Sequence, residues 1–499
     1  MSNQFIVTIT PPTPNGDLHI GHIAGPYMAA DVFTRAQRLQ GMQCYLVSYS
    51  DDYQSYLTRK ALELGVDGAQ LAHENSVKIQ QSLRMVGIEV DHWLESHGNP
   101  HFEWAAKMLY ERGQASGLIR SAQTQAPYCE HCQVWGYEGF ARGNCNHCGA
   151  SSDASQCEAC AMAPDAAKMT DLKCILCHAP MTMRPVQRQF LAFDRVADAL
   201  RARLAAAPMR GQLRRWLDAA FEKGLGDWGV TRPGESGLKL YDDEAHRLHT
   251  WFMGQAGYLA ALKELSERDE AADAYALLSS ADTRMVNFLG MDCSYSHVLA
   301  YPAQVLGDPA FKFSQAFFTN AFLKLNGEDF STSRGHAIWV RDLVRDACAD
   351  SVRFYVSLIA PEEQTGNFSV DDFWAWRRRV FDTVLPHIYR QLAQERATPP
   401  ACLAAFERGV AQRWLQCASV EQFSMKGMAE QLMVLVDAIQ GELSSGKVRR
   451  ELLVLFAVLC GPTMPGLGKA LAGHVDDDER TACLAELGLI PAQKEACHG

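Results

Sequence analysis

Residues 5–22 read FIVTITPPTPNGDLHIGH, and this stretch decides the fold. Phe5 to Thr10 is a short apolar run typical of a buried β-strand, and a Pro/Gly-rich turn from Pro11 to Gly16 follows it. A helical stretch then runs to about Gln40, and a second strand is predicted from Cys44 to Ser48. Strand, loop, helix and strand in this order form the βαβ unit of a nucleotide-binding α/β sheet.

The turn has the features of a phosphate-binding loop. It lies between a strand and a helix, where backbone N–H groups and the helix dipole favour an anion. Gly21 would let a ligand approach the backbone closely. His19 and His22 are three residues apart at the start of a helix, a spacing that places both imidazoles on one face. There they can donate to the transferring phosphate oxygens of ATP. The alternative is two surface histidines in a turn.

Length and charge limit the classes of function. A chain of 499 residues suggests about three domains. The net charge of −11 argues against a general nucleic-acid binder, because phosphate contacts need Lys and Arg, although a local basic face remains compatible with it. The N-terminus has no secretory pattern, and the apolar run from Leu452 to Cys460 is far too short for a membrane span. We therefore expect a cytoplasmic protein with no membrane partner.

Half of the sixteen cysteines form four Cys-x-x-Cys pairs in one segment. In a chain without an export signal, clustered pairs indicate a metal site rather than disulfides. Eight thiolates suit two closed, structural Cys₄ zinc sites, and two ions would fold a segment too polar to fold alone. Redox-active or metal-free cysteines are the alternative. The predicted ligands are Cys129, Cys132, Cys145, Cys148, Cys157, Cys160, Cys174 and Cys177.

The His-x-Gly-His segment, with PPTPNG before it, resembles the nucleotide loop of the methionyl-tRNA synthetase family of class I aminoacyl-tRNA synthetases. The resemblance covers residues 1 to about 375 well and the remainder weakly. It implies an α/β fold, with a Rossmann-type parallel-sheet catalytic domain, a zinc-knuckle insertion and an all-helical C-terminal domain. It also implies a ligase that converts ATP to AMP and pyrophosphate, with ATP as cosubstrate, Mg²⁺ and two structural Zn²⁺ ions.

The resemblance implies a domain order and a zinc pairing. Nested ligation would place the inner four cysteines on one ion and the outer four on the other, while sequential pairing remains open. The expected domains are residues 1–120, the first half of the catalytic domain; 121–185, the zinc-binding insertion; 186–310, the second half; 311–372, a second phosphate-loop region similar to a stem-contact fold; and 373–499, a helical domain similar to an anticodon-binding domain.

The resemblance also assigns substrate contacts. Asp51 takes the place of the carboxylate that grips the substrate α-ammonium, with Asp52 as the alternative, and a carboxylate suits this task because it accepts charge-assisted hydrogen bonds. An aromatic wall from Trp251 and Tyr258 suits a thioether. The expected amino-acid contacts are Pro11, Thr13, Asp51, Trp251, Gln255, Tyr258, Cys293 and His297. The expected ATP contacts are Asn15, Gly16, Gly290 and Asp292, with Asp292 on the ribose hydroxyls.

Four residues depart from the family pattern around this pocket. Thr13 replaces a Tyr, Gln255 a Pro, Met291 a Lys and Cys293 an apolar residue. These changes predict a roomier and more polar pocket than one for methionine. Since polar pocket groups discriminate sharply when they find partners, the substrate is expected to be methionine or a larger or more polar amino acid.

The second phosphate loop also departs from the family. GEDFSTSRG, residues 327–335, stands in place of Lys-Met-Ser-Lys-Ser, with Asp329 and Thr332 at the two lysine positions. Losing one such cation typically costs on the order of 10² to 10³ in rate. In one interpretation Arg334 becomes the phosphate clamp, and in the other the loop is partly inactive. The expected catalytic residues are His19, Gly21, His22, Ser331, Ser333 and Arg334.

The helical C-terminal region lacks the residues that read the anticodon in the family. His387 and Gln391 stand at the positions of an Asn and an Arg, and no Trp follows Trp414. Base stacking on an aromatic ring is worth about 1–3 kcal/mol, so its loss is substantial. We expect the anticodon contacts to be lost, although tRNA remains a candidate partner beside the amino acid and ATP.

These features favour a biosynthetic paralogue that passes an acyl group to an acceptor other than tRNA. Some synthetase-like enzymes join such a domain to a cupin, and since this chain has no cupin, a separate partner protein would be needed. One alternative is a methionine–tRNA ligase that works in translation. The other is a non-catalytic binding protein.

Overall fold

The computed structural model describes residues 4–240, 246–268, 271–331, 335–394, 403–446 and 448–490. The chain divides into two compact units. Unit 1 comprises residues 1–17, 45–80 and 90–319, and unit 2 comprises residues 18–44, 81–89 and 320–499. The first loop is therefore shared, with its Pro/Gly-rich half in unit 1 and both of its histidines in unit 2. The division into five domains along the sequence stays a prediction.

The strands and helices alternate in the first half of the chain, and helices dominate the last third. The strands are β1 Gln4–Ile9, β2 Gln43–Ser50, β3 His92–Glu95, β4 Ile119–Cys129, β5 Val134–Trp135, β6 Ala141–Asn144, β7 Ser151–Asp153, β8 Thr170–Cys174, β9 Thr182–Leu191, β10 Trp228–Gly229, β11 Thr231–Arg232, β12 Leu238–Lys239, β13 Arg247–Leu248, β14 Thr283–Gly290, β15 Ala316–Asn320, β16 Leu323–Leu325, β17 Glu328–Asp329 and β18 Gly366–Phe368. The helices are α1 Ile20–His22, α2 Met28–Leu39, α3 Ser55–Leu64, α4 Gly68–Met85, α5 Pro100–Ala115, α6 Ala197–Leu204, α7 Gly211–Lys223, α8 Gly254–Leu265, α9 Tyr301–Gln304, α10 Val340–Ala347, α11 Ala349–Leu358, α12 Val370–Arg379, α13 Leu385–Ala393, α14 Ala405–Ala418, α15 Met425–Ser444, α16 Arg450–Cys460, α17 Pro465–Ala472 and α18 Asp477–Glu486.

Unit 1 is built on a five-stranded sheet with the order β15-β14-β1-β2-β3. β1 pairs parallel with β14, and β2 pairs parallel with β3. Nearly every residue of β1 and β14 is buried, as expected for strands covered on both faces. The carboxyl ends of parallel strands lie at one edge of a sheet, and ligands of open α/β sheets bind there. The parallel-sheet fold predicted from the sequence is confirmed.

The cysteine-rich insertion leaves and re-enters unit 1 through a long antiparallel ladder. β4 and β9 pair from Ile119 opposite Leu191 to Tyr128 opposite Thr182. A small sheet, β7-β6-β8, carries the cysteine loops. The apolar cluster beneath it is minor and alanine-rich: Ala126, Tyr137, Ala141, Ala154, Ala166, Met169 and Leu172. So few apolar side chains leave the segment dependent on other constraints for its stability.

Unit 2 is predominantly helical, as predicted for the C-terminal region. The apolar run near the end of the chain forms α16, and its side chains are almost all buried in this unit. Trp414 of α14 is fully buried in this unit. Among the described residues, no helix combines the length and apolar character needed to cross a bilayer.

One fully buried guanidinium links segments of unit 2 that are far apart in sequence. Arg353 of α11 donates to the Asp31 carboxylate of α2 at 2.6 Å. Its remaining N–H groups donate to the backbone carbonyls of residues 86, 87, 462 and 463 at 2.8–3.2 Å. Asp31 also accepts from the Arg35 side chain and from the backbone N–H of Glu89. A buried charge pair of this kind has all its hydrogen bonds satisfied, and removing one member leaves the other without compensation.

Replacing Arg353 by Met should destabilise unit 2 by about 3–5 kcal/mol, because the substitution removes a charge partner of a buried carboxylate and one donor from each of four carbonyls. Urea unfolding followed by circular dichroism measures the change. Arg345→Met is the matched control, since the Arg345 side chain is exposed and its pair with Asp342 contributes at most about 1 kcal/mol. Equal losses in the two variants would contradict this role of Arg353.

Candidate active site

A cavity of about 310 Å³ in unit 1 lies at the carboxyl ends of β1, β2 and β14. The loop after β1, the residues after β2 and the turn after β14 each contribute to it, together with the start of the segment before α8. Eight of the predicted site residues line this cavity: Pro11, Thr13, Asn15, Asp51, Trp251, Asp292, Cys293 and His297. The fold thus brings together motifs that are scattered over almost 290 positions of the sequence.

Asp51 is the buried anion of the cavity. Its carboxylate accepts hydrogen bonds from Gln54 Nε2 at 2.6 Å and from the Thr250 hydroxyl. Burial raises the pKa of Asp51 to about 6, although these two hydrogen bonds oppose the rise. The alternative residue, Asp52, accepts instead from the Ser96 hydroxyl and the backbone N–H of His97. Only Asp51 of the two lines the cavity, so Asp51 is the better placed to bind a cationic ligand group.

His297 forms part of the cavity wall, and both of its ring nitrogens have hydrogen-bond partners. Its Nε2 lies 3.0 Å from the Tyr258 hydroxyl, which donates to the carbonyl of Ile9. Its Nδ1 lies 3.0 Å from the Ser296 hydroxyl. Burial lowers the pKa of His297 to about 4, so the imidazole is neutral near pH 7. Tyr258 and Gln255 are themselves buried in α8 and are not among the described residues that line the cavity.

Sequence motifs gave no indication of several residues at the cavity. Tyr301 lines it and packs its ring 4.6 Å from that of His297. The Tyr301 hydroxyl lies so close to Gly254 that any side chain at that position would overlap it. Gln54 and Thr250 hold Asp51 in place but belong to no recognisable pattern. The one sequence signal for any of them is the position of Gln54, three residues after Asp51.

Three further residues at the cavity come from the cysteine-rich insertion. They are Asp153, Gln156 and Glu158. Gln156 Nε2 donates to the Asp292 carboxylate at 2.8 Å. Burial raises the pKa of Asp292 to about 6, and the nearby Glu158 raises it further. With Asp51, these carboxylates make the cavity strongly acidic, and none of the described residues that line it is Lys or Arg.

The histidines of the first loop lie in unit 2, beside the second loop. Their rings stack with centroids 3.8 Å apart, and the Phe330 ring stacks on His19 at 4.7 Å. A side chain at Gly21 would meet the Phe330 ring at 3.2 Å, so the glycine permits this approach. Burial lowers the pKa of His19 to about 3, and the neighbouring His22 lowers it further. Desolvation also lowers the pKa of His22, to about 4, although the residue is exposed to solvent at the surface.

The second loop places its acidic substitution in solvent. Asp329 lies in the exposed strand β17, opposite Lys324 of β16. Ser331 pairs through its backbone with His336 at 2.9 Å in both directions. Ser333 and Arg334, which were predicted to contact phosphate, lie outside the described residues. Phe330 was not predicted, because stacking on a histidine 311 positions earlier leaves no trace in a local pattern.

The eight cysteines form two groups of four. Within each group the Sγ atoms lie within 4.8 Å of one another. The groups are nested: Cys129, Cys132, Cys174 and Cys177 form the outer one, and Cys145, Cys148, Cys157 and Cys160 the inner one. Neighbouring Sγ atoms are 3.5–3.9 Å apart, close to the edge of about 3.8 Å expected for four thiolates around one tetrahedral zinc. The donor set and its spacing fit a Cys₄ metal site.

Comparison with known proteins identifies similar chains. The family model for class I tRNA synthetases (M) matches residues 5–387. The methionine–tRNA ligases of Dehalococcoides mccartyi and Thermoplasma acidophilum are each 29% identical, over 382 and 378 residues. The alignments cover 75% and 74% of this chain and 68% of each relative, and the relative from Christiangramia forsetii is covered over 55% of its length.

Solved structures share the fold. The methionyl-tRNA synthetase of Mycobacterium tuberculosis in complex with methionyl-adenylate superposes with a TM-score of 0.70 at 20% identity, over 94% of this chain and 93% of that one. A second structure of that synthetase, also with methionyl-adenylate, gives a TM-score of 0.71 at 19% identity, over 96% of both chains.

Replacing Asp51 by Asn should raise the thermal unfolding temperature more at pH 8 than at pH 5. A folded pKa of about 6 exceeds the unfolded value of about 3.9, so ionisation costs stability increasingly as pH rises from 4 to 6. The extra stabilisation at pH 8 should be about 2 °C by scanning calorimetry. Asp218→Asn, at an exposed position of α7, should show no such difference. An Asp51→Asn shift that is equal at both pH values would argue against a raised pKa.

Proposed function

The chain belongs to the class I tRNA synthetase family (M), a family of ligases, and from that membership we propose that it activates an amino acid with ATP to form an aminoacyl-AMP. The observation that carries the proposal is the acidic cavity at the ends of β1, β2 and β14. It combines a buried carboxylate for an ammonium group, Asp51, with a second one, Asp292, for ribose hydroxyls. Both carboxylates have raised pKa values and would gain from a ligand that supplies charge or donors.

The chemistry assigns a role to each group. Asp51 binds the α-ammonium and so orients the substrate carboxylate, one oxygen of which attacks the α-phosphorus of ATP while pyrophosphate leaves. His19 and His22 are neutral and donate N–H groups to phosphate oxygens, which stabilises charge that develops in the transition state. Asn15, Gly16 and Gly290 contact the nucleotide, and Ser331, Ser333 and Arg334 contact phosphate. Mg²⁺ bound with ATP would neutralise part of the phosphate charge.

The amino acid is methionine or a larger or more polar one. Thr13, Cys293 and His297 give the cavity polar side chains, and Ser296 adds a hydroxyl beside them. Trp251 and Tyr301 supply the aromatic surfaces that suit a thioether or another polarisable side chain. Pro11 completes the lining. Gln255 and Tyr258 are buried in α8 and support the lining without being part of it. This mixture of aromatic and polar lining is compatible with methionine and with a side chain that offers a hydrogen-bonding group.

The acyl acceptor is proposed to be a molecule other than tRNA, delivered by a separate partner protein. Two observations in the helical region support this. His387 Nδ1 lies 2.6 Å from the carbonyl of Thr383, which precedes α13, and Trp414 is fully buried and offers no face for a base. Unit 1 has a second, larger cavity of about 710 Å³. It is lined in part by Thr250, which donates a hydrogen bond to Asp51, and it would accommodate a small acceptor.

A second candidate function is methionine–tRNA ligation in translation. It is favoured by the curated relatives, which carry that activity in their names. Both candidates share the activation step and differ only in the acceptor. In either case we place the activity in the cytoplasm, where a reducing environment keeps clustered thiols available to metal.

We assign two structural zinc ions to the two cysteine groups. Four thiolates per ion leave no open position, so neither ion would take part in the chemistry. Backbone N–H groups already point to the sulfur atoms, as from Cys132 to Cys129 Sγ at 3.4 Å and from His147 to Cys145 Sγ at 3.3 Å. The sparse apolar cluster of the insertion supports a folding role for the metal.

The purified protein should contain two zinc ions per chain by metal analysis. Cys132→Ser and Cys148→Ser should each lose one ion, since each removes a ligand from a different group. Cys348→Ser is the control, because this exposed cysteine belongs to neither group and should leave both ions bound. Loss of both ions from either ligand variant alone would contradict two independent sites, and another metal would contradict the assignment to zinc.

ATP–pyrophosphate exchange, run with the twenty amino acids and several non-proteinogenic ones, tests the proposed function. We expect exchange with one amino acid, and His22→Ala should lower it on the order of 10² to 10³-fold because a transition-state donor is lost. His387→Ala in α13 should leave exchange unchanged. Exchange with methionine followed by charging of tRNA would establish the second candidate. No exchange with any amino acid, with or without tRNA, would overturn the activation proposal.

A further inference from the structure

The segment from Asp153 to Cys160, which includes the second inner cysteine pair, forms one wall of the amino-acid cavity. Asp153, Gln156 and Glu158 of this segment line it. The insertion is therefore part of the ligand site, not only a neighbouring structural module.

This segment is fixed from several directions within unit 1. The Tyr56 hydroxyl donates to the Asp153 carboxylate at 2.6 Å. Arg232 Nη1 donates to the Ser155 hydroxyl at 2.8 Å. Trp216 Nε1 donates to the carbonyl of Cys160 at 2.9 Å. With both of its ends held, the backbone of the segment presents the Gln156 side chain from a defined position.

Gln156 reaches from this wall to the turn after β14. Its Nε2 donates to Asp292 Oδ2 at 2.8 Å and lies 3.9 Å from the Cys293 Sγ. The other carboxylate oxygen of Asp292, Oδ1, lies over Gly290, where a Cβ atom would approach it to 2.4 Å. One oxygen is thus held by an amide donor, and the other occupies space that the absence of a side chain at Gly290 leaves open. The amide contact therefore limits the rotation of the carboxylate.

We propose that Gln156 is a positioning residue that aims the Asp292 carboxylate at the ribose of the nucleotide and so determines selection for ribonucleotides. The inference rests on the proposed function, in which Asp292 binds the ribose hydroxyls. An amide N–H suits this task because it donates to one oxygen of the carboxylate while leaving its other lone pairs free to accept from hydroxyl groups. The cysteine-rich insertion thereby contributes a specificity determinant to the nucleotide site.

The test compares the binding of ATP, 2′-deoxy-ATP and 3′-deoxy-ATP to the full-length protein by calorimetry. A hydroxyl that donates to a charged acceptor is worth about 1.5–3 kcal/mol, so the wild-type protein should prefer ATP over the analogue that lacks it by about 10- to 100-fold. In Gln156→Ala this preference should fall to about threefold or less, through weaker binding of ATP and unchanged binding of the analogue.

Three variants separate positioning from a structural effect. Gln156→Glu keeps the length of the side chain but sets a carboxylate against Asp292, so it should lose at least as much preference as Gln156→Ala. Adding Asp292→Asn to it restores a donor–acceptor pair of reversed polarity and should recover preference relative to Gln156→Glu alone. Gln125→Ala, at an exposed position of β4, should behave like the wild type.

The outcomes distinguish this inference from the proposed function. A wild-type protein that prefers ATP, with Gln156→Ala retaining that preference, would overturn the role of Gln156 and leave the function intact. A wild-type protein that binds ATP and both analogues equally would remove Asp292 from the ribose site and the inference with it. A wild-type protein that binds none of the three nucleotides would overturn both.

Discussion

The parallel pairing of β1 with β14 is the constraint on which the cavity depends. The backbone N–H of Thr10 donates to the carbonyl of Phe288 at 2.9 Å, and the Thr10 hydroxyl donates to the same oxygen. These two residues are 278 positions apart. Because both strands end at this point and in the same direction, the loop after β1 and the turn after β14 must emerge side by side. A slip of one residue in this register would exchange the two buried faces of a strand and displace the proposed nucleotide contacts at its end.

The electrostatics of the cavity follow from the same arrangement. A carboxylate at the strand ends of a buried parallel sheet is poorly solvated, so its ionisation lowers the stability of the fold. Asp51 and Asp292 both show this in their raised pKa values. Such a cost of ionisation is common at functional sites, where a bound ligand offsets it. Within unit 2, His19 and His22 also have lowered pKa values, and an imidazole that stays uncharged donates a hydrogen bond without a counter-ion of its own.

Much of the fold and part of the site could be predicted from the sequence. The strand, turn and helix around residues 5–22 could be predicted because the spacing of apolar residues and the turn-forming residues indicate the same local structure. The cysteine spacing predicted two groups of four, but spacing alone could not choose between nested and sequential grouping. That choice depends on which strands of the insertion pair, and β6 pairs with both β7 and β8. Gln54, Thr250 and Gln156 escaped prediction because an orienting residue needs only a donor within reach, and three-dimensional packing decides which donor that is.

The close approach of Tyr301 to Gly254 limits how this pocket can change. The backbone of α8 is pressed against aromatic rings, at Gly254 by Tyr301 and at Gly257 by Tyr49, with no room for a side chain at either position. That side of the pocket is therefore closed to mutation. Variation is left to Cys293, Ser296 and His297, which line the pocket and fall within five consecutive residues. A lineage could thus exchange one amino-acid preference for another by altering a single short stretch of its gene, while the proposed nucleotide contacts and the sheet stay as they were.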